Sequence, residues 1–242
     1  MIVEGKLVKK SLLIVLTFCF LLSLSCNKND SYNKKTILFS FKPYSLILKD
    51  LNIQKYKATV LFSSNKDLNT KKLSKQQVKM LKEADLIVLN GYIEKDFIKQ
   101  IEPYENKVVY VSQMINQVKV KLNKEYPYYW LNPELYIDYI RGMNSEFGKL
   151  EPNMRVQFDI RTNDLISEYQ QLIENIDIQA NNISFDYGKE FFFLEEYLTS
   201  RKKNKELDNK VDKIDNNFDI WQSSNYENSL DYFTKNYLKP LN

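Results

Sequence analysis

No histidine occurs anywhere in the 242 residues of this chain. That absence excludes Ser-His-Asp and Cys-His catalysis, imidazole proton shuttling and every zinc site built on imidazole. Cysteine is nearly as scarce. Cys19 and Cys26 are the only two, and both lie in an N-terminal segment expected to be processed, so the mature domain has no thiol for a disulfide, a soft-metal site or a nucleophile. With neither His nor Cys to pair with a nucleophile, and no Lys-Ser or carboxylate motif, the chain is not expected to be an enzyme. Glycine occurs five times, in neither a GxGxxG nor a GxxxxGK(S/T) pattern, so nucleotide phosphates have no loop to sit in. Charge of one sign is missing too: 35 Lys and Arg against 31 Asp and Glu give a net +4, which is no signature of a nucleic-acid partner.

What the chain does have begins at its N-terminus. Lys6, Lys9 and Lys10 precede "SLLIVLTFCFLLSLSC", an apolar run ending at Cys26. It is too short to span a bilayer comfortably, closes on small residues, and reads as a secretory signal over residues 1–25. Ser25 and Leu24 before Cys26 resemble a bacterial lipobox, with Ser23 where leucine is usual. Cys26 is therefore expected to become the lipidated first residue of the mature protein, the competing reading being an uncleaved anchor with an incidental cysteine. Both readings place the domain outside the cytoplasm at a bacterial membrane, on the periplasmic side or the cell surface. Removal of residues 1–25 takes three lysines and one glutamate, leaving 32 basic against 30 acidic residues, or +2.

Residues 26–35 are polar and read as a tether. From Thr36 the chain alternates short β-rich runs with helical spacing. Thr36 to Phe39 is followed by Pro43 and by Leu46, Ile47 and Leu51; Lys57 to Phe62 leads through a polar loop to a helix at Ser74, with Gln77 at capping-box spacing. Leu86 to Leu89 precede an Asn90-Gly91 turn and a helix face of Ile93, Phe97, Ile98 and Ile101. Lys107 to Ser112 is the fourth strand. Alternation of this kind predicts an α/β fold with a parallel sheet covered on both faces and ligands at the carboxyl edge of the strands. That edge would carry Ser40, Lys42, Tyr44, the loop from Ser63 to Leu73, Asn90, Gly91 and Ser112.

Beyond Asn132 the pattern turns helical. Asn132 is placed to cap a helix with Pro133 and Glu134 in its first turn and Leu135, Tyr139, Met143 and Phe147 as its stripe. A second helix from about Asn153 to Asp177 has Met154, Phe158, Leu165, Ile166, Tyr169, Leu172 and Ile176 on its buried face. At about 1.5 Å per residue it is long enough to join two lobes as a spine. "NNISFDYGKEFFFLEEYL" predicts one more strand and helix, "SRKKNKELDNKVDKIDNN" a solvated loop or frayed helix, and residues 226–241 a closing helix. The domain plan is a signal at 1–25, a tether at 26–35, an α/β lobe at 36–150, a spine at 151–178 and a reduced second lobe at 179–242.

The order of motifs resembles the zinc/manganese solute-binding lipoproteins of bacterial ABC importers. Ser40, Phe41 and Pro43 match the family's S-F-x-P opening, with Ile47 at its leucine; Ala84 to Val88, Asn90, Gly91, Glu94 and Phe97 match its A-D-L-I-V-x-N-G segment. "YYWLNP" is similar to its H-x-W-L-D-P and "LEPNMRVQF" to its spine opening. The resemblance implies two lobes with parallel sheets flanked by helices, a long helix between them, an ABC permease as partner, and a metal held by histidines. Carried over one position at a time, the first ligand histidine falls on Asn69 and the second on Tyr128; the third falls near Phe185 or Asp186, and the fourth ligand, an aspartate, has no counterpart. Tyrosine binds metals only as phenolate, far from its ordinary pKa near ~10, and asparagine offers one neutral oxygen. The scaffold is kept while the histidine site is lost.

Tyr126, Tyr128, Tyr129 and Trp130 could line an aromatic cleft with Ser40, Asn69, Asn90 and Ser112, or fill space vacated by a metal. Asp67, Glu94 and Asp186 could gather around a hard cation through oxygen, or be solvated like most scattered carboxylates. Two functions follow: a lipid-anchored binding subunit of a zinc/manganese-type ABC transporter without its histidine site, or a degenerate binding-protein scaffold acting as a surface interaction lipoprotein. No cofactor is expected, and the lipid bilayer is the partner of Cys26.

Overall fold

The computed structural model describes residues 34–63, 72–115, 132–180, 184–186 and 211–213. Four parallel strands form its main sheet: β1 (Lys35–Phe39), β2 (Tyr56–Val60), β3 (Leu86–Leu89) and β4 (Val108–Tyr110), in the order β2-β1-β3-β4. The register runs Phe39↔Val60 and Phe39↔Val88 on the two sides of β1. The central strands are apolar in an unbroken run, as strands covered on both faces must be: Ile37, Leu38, Phe39 and Ile87, Val88, Leu89 are all fully buried.

The crossovers depart from the expected pattern in instructive ways. Between β1 and β2 a single helix is replaced by two short turns, α1 (Lys42–Ser45) and α2 (Ile47–Asp50), joined at Leu46. Pro43 sits in the first turn of α1, where its missing N–H costs nothing. Helix α3 (Lys75–Glu83) starts as expected: Ser74 Oγ accepts from Gln77 N while Gln77 Oε1 accepts from Ser74 N. After β3 the chain forms a 3₁₀ turn (Ile93–Phe97) and only then α4 (Ile98–Ile101). The altered helical period buries Phe97 and Ile101 but leaves Ile98 47 % exposed, so Ile98 is not part of the predicted buried face. The fourth strand is shorter than expected, because α5 (Val111–Met114) takes over from Val111.

Helix α6 (Pro133–Leu150) is capped by Asn132, whose Oδ1 accepts from Glu134 N and Leu135 N. Its predicted stripe is buried, but so are Tyr136, Ile137 and Ile140. The helix is covered on two sides: Tyr139 meets Tyr44 at 5.1 Å between ring centroids and Phe147 stacks on Tyr56 at 5.6 Å, while Tyr136 stacks on Tyr169 of the next helix at 5.4 Å. A 3₁₀ turn (Pro152–Met154) reverses the chain into α7 (Arg155–Ala180), the long helix predicted for this region. Phe158, Leu165, Ile166, Tyr169, Leu172 and Ile176 are buried; Met154 lies only partly so.

A glutamate ties the reversal to the sheet. Glu151 accepts from Lys35 Nζ at 3.0 Å and from Lys55 Nζ at 2.9 Å, and Lys35 also donates to the Leu150 carbonyl. Arg161 of α7 donates to the carbonyls of Leu51 and Asn52, where the chain turns through the left-handed conformation of Asn52.

Beyond α7, β5 (Ser184–Asp186) pairs in parallel with β6 (Val211–Lys213). The first is the expected strand. The second overturns part of the solvated-loop reading, since the segment "KVDK" carries a strand whose backbone bonds to β5 outweigh its charged composition. The predicted helices after residues 186 and 225 lie outside the described residues.

Candidate functional site

Five of the predicted edge residues, Ser40, Tyr44, Asn90, Gly91 and Ser112, do come together at the carboxyl end of the sheet. β1 delivers Ser40, β3 delivers Asn90 and Gly91, and β4 delivers Ser112 through the first turn of α5. Ser40 and Asn90 are fully buried, Ser112 is 7 % exposed, and Glu94, from the 3₁₀ turn after β3, joins them at 1 %.

Their polar atoms are taken up by one another. Asn90 N–H is shared between Ser40 Oγ at 3.1 Å and Glu94 Oε1 at 2.8 Å, and Gly91 N–H donates to Glu94 Oε2 at 2.9 Å. The Asn90 side chain donates to Tyr44 Oη at 2.9 Å, and its backbone carbonyl accepts from Ser112 N at 3.1 Å. Tyr139 Oη donates to the Tyr44 carbonyl at 2.7 Å. Gly91 has φ +102°, and a Cβ there would lie 3.0 Å from Ser112 Cβ, so the turn needs glycine twice over. Burial pushes the Glu94 carboxyl above the ordinary glutamate value, against the pull of backbone N–H groups of Asn90, Gly91 and Glu94 and of the Ser40 hydroxyl.

The chemistry of this knot is cohesion. Each carboxyl oxygen of Glu94 accepts a backbone N–H, so this buried residue acts as a clamp on the turn and is not a solvated acid. Sequence reasoning singled out Glu94 for its charge and missed that role; the available signal was its spacing, three and four residues after the Asn90-Gly91 turn it closes. Tyr110, half-buried beside this region, is pushed up to about 12 by burial and by Glu105, which accepts its hydroxyl at 3.1 Å, with a smaller push from Glu94.

A cavity of about 380 Å³ opens at the carboxyl end of β2, between Leu61, Ser63, Lys72 and the start of α3. Two of its polar walls are engaged: Ser74 and Gln77 cap each other, and Gln77 Nε2 donates to the Leu61 carbonyl at 2.8 Å. Asp67, Asn69, Tyr128 and Trp130 lie outside the described residues, as does Cys26. Asp186 is placed only as a backbone position in β5, paired with Lys213. Among the described residues, no group of three or more His, Cys, Asp or Glu is arranged to hold a metal ion, and no helix is long and apolar enough to cross a membrane.

The family model for ZnuA, described as the zinc-uptake complex component A, periplasmic, matches residues 37–195. The chain belongs to this family. The ZnuA family comprises periplasmic solute-binding proteins of metal uptake, not enzymes. No curated protein matches the sequence. Among solved structures, a ZnuA crystal structure aligns with TM-score 0.57 and 20 % identity, covering 68 % of each chain. A Cd-bound periplasmic metal binding protein from Candidatus Liberibacter asiaticus aligns with TM-score 0.54 and 18 % identity, over 69 % of this chain and 66 % of that one. A Mn-bound point mutant of the periplasmic metal binding protein from the same organism gives TM-score 0.63 and 15 % identity, over 86 % of this chain and 98 % of that one. At these identities the likeness is one of fold: a parallel four-stranded sheet flanked by helices, followed by a long helix, as the ZnuA resemblance implied.

Proposed function

We propose that this chain is a lipid-anchored, extracytoplasmic ZnuA-family protein, acylated at Cys26, whose histidine metal site has been lost and which works beside an ABC permease. The observation that carries the reading is the histidine count of zero in a family built on zinc uptake. The two ligand positions that can be carried across are Asn69 and Tyr128, and neither supplies the nitrogen or sulfur that a tight zinc site uses. Oxygen ligands favour a hard cation held weakly and exchangeably.

The test is calorimetric titration of the protein with zinc and manganese, beside the double variant Asn69→His, Tyr128→His. The unmodified protein is expected to show no submicromolar zinc site, and the double variant to gain measurable affinity. Submicromolar binding by the unmodified protein would sink the proposal. A second reading, a binding-protein scaffold serving surface interactions without transport, draws support from the knot at the strand ends, where Ser40, Asn90 and Glu94 bind one another. It gains the advantage if neither protein binds metal.

A further inference from the structure

Charge is nearly balanced over the mature chain but not over its surface. Residues 34–60 hold six lysines against one aspartate, and the fold gathers them along the edge of the sheet formed by β2. Lys34, Lys49 and Lys57 are exposed, and Lys35, Lys42 and Lys55 are partly so. Among the described residues, Glu151 is shared by Lys35 and Lys55 and Asp85 accepts the Thr36 N–H, which with Asp50 leaves lysine in excess on this flank. Lysine on an edge strand guards against strand pairing between molecules, and that suffices for Lys57. It does not account for Lys34 before β1, nor for Lys42 and Lys49 on the turns beside β2. Those last two line a cavity of about 550 Å³ together with Leu46, Leu48 and Ile53, a mixed lining suited to a phosphate headgroup with its first methylenes.

We propose that this flank is a membrane-facing surface that binds anionic phospholipid headgroups. The inference rests on the proposed acylation of Cys26. Lys34 follows Cys26 by eight residues, a contour of at most about 28 Å, so an acyl anchor would hold the flank within reach of the bilayer. The anchor brings the flank to the surface, and a basic patch beside a membrane adds attraction to anionic headgroups of about 1 kcal/mol per lysine near the surface. Soluble polyanions share the charge but lack the surface to which the anchor delivers this face.

The experiment uses the protein as processed by the bacterium that expresses it, carrying Gln54→Cys and labelled with a fluorophore at that exposed position beside the flank. Vesicles contain a headgroup quencher and either phosphatidylcholine alone or phosphatidylcholine with about 30 % phosphatidylglycerol. Quenching is expected to be severalfold stronger on the anionic vesicles, with the difference abolished at about 0.5 M salt. Each lysine near an anionic surface favours contact roughly fivefold, so Lys34→Glu, Lys49→Glu and Lys57→Glu together should remove the difference. The control Lys75→Glu, Lys79→Glu and Lys99→Glu, equal in charge and on other elements, should retain it. Equal quenching of vesicle-bound protein on both lipids overturns the proposal, as does loss in the control, or binding to soluble heparin with no added quenching on anionic vesicles. Failure to bind neutral vesicles at all is a different result: it refutes the acylation, and quenching on anionic vesicles would then still support the flank.

Discussion

Glu94 Oε1 lies 2.8 Å from the backbone nitrogen of Asn90, and both residues are buried. A carboxylate thus replaces solvent for the turn that ends β3, and its removal exposes that turn's N–H groups to an apolar surrounding.

Glu94→Gln should therefore destabilise the fold by about 1–3 kcal/mol, because an amide offers one acceptor and turns a donor toward the other N–H. Glu94→Ala should cost at least as much. Chemical denaturation of the three proteins measures this, and an unchanged midpoint for Glu94→Gln would refute the clamp.

The same residue sets a pH dependence. Its folded pKa is raised, so its contribution to stability is fully present below the unfolded value of 4.5 and is lost as pH rises through the folded pKa. Glu151 runs the other way. Hydrogen bonds from Lys55, then from Lys35, lower its pKa, so its contribution is present above 4.5 and is lost as pH falls through the folded value. Glu151→Gln should flatten the acid side of the stability profile, and Glu94→Gln should remove the decline that sets in above pH 4.5; denaturation midpoints across about pH 3–7 separate the two.

Gly91→Ala should destabilise by roughly 1 kcal/mol or more, from the positive φ alone. The Ser112 contact adds to that cost. The double change Gly91→Ala, Ser112→Gly is expected to recover the steric part and not the conformational part, so its melting temperature should fall between those of Gly91→Ala and the parent.

Tyr169, fully buried and stacked on Tyr136, is expected to carry much of the joint between the long helix and the sheet-covering helix. Tyr169→Ala should cost about 3–5 kcal/mol. Leu165→Asp, one turn earlier and 6 % exposed, should unfold the domain outright. A melting temperature unchanged by either would mean that this helix does not hold the lobe together.

The proposed acylation predicts that Cys26→Ala releases the mature protein from membranes, read by fractionation of cells. Retention of a signal-cleaved protein after that change would count against it.

Much of the fold was legible because its signals are local. The apolar runs of β1 and β3, the Ser74–Gln77 box and the Asn132-Pro133-Glu134 start each specify an element through residues a few positions apart, and the stripe of the long helix follows from a 3.6-residue period that needs no partner. The sequence also determined, with no structure at all, that histidine chemistry is closed to this chain and that no cysteine follows Cys26. Only the tertiary structure decided what the edge residues do. Ser40, Asn90 and Ser112 are separated by tens of residues, and whether such groups face a ligand or each other depends on how three strand ends and a 3₁₀ turn meet. The same holds for Ile98, exposed by a change of helical period, for "KVDK", whose strand exists through its pairing with β5, and for Glu151, which finds Lys35 and Lys55 far away in the chain. Long-range hydrogen bonds and ion pairs have no period in the sequence, so residue type alone left these roles open.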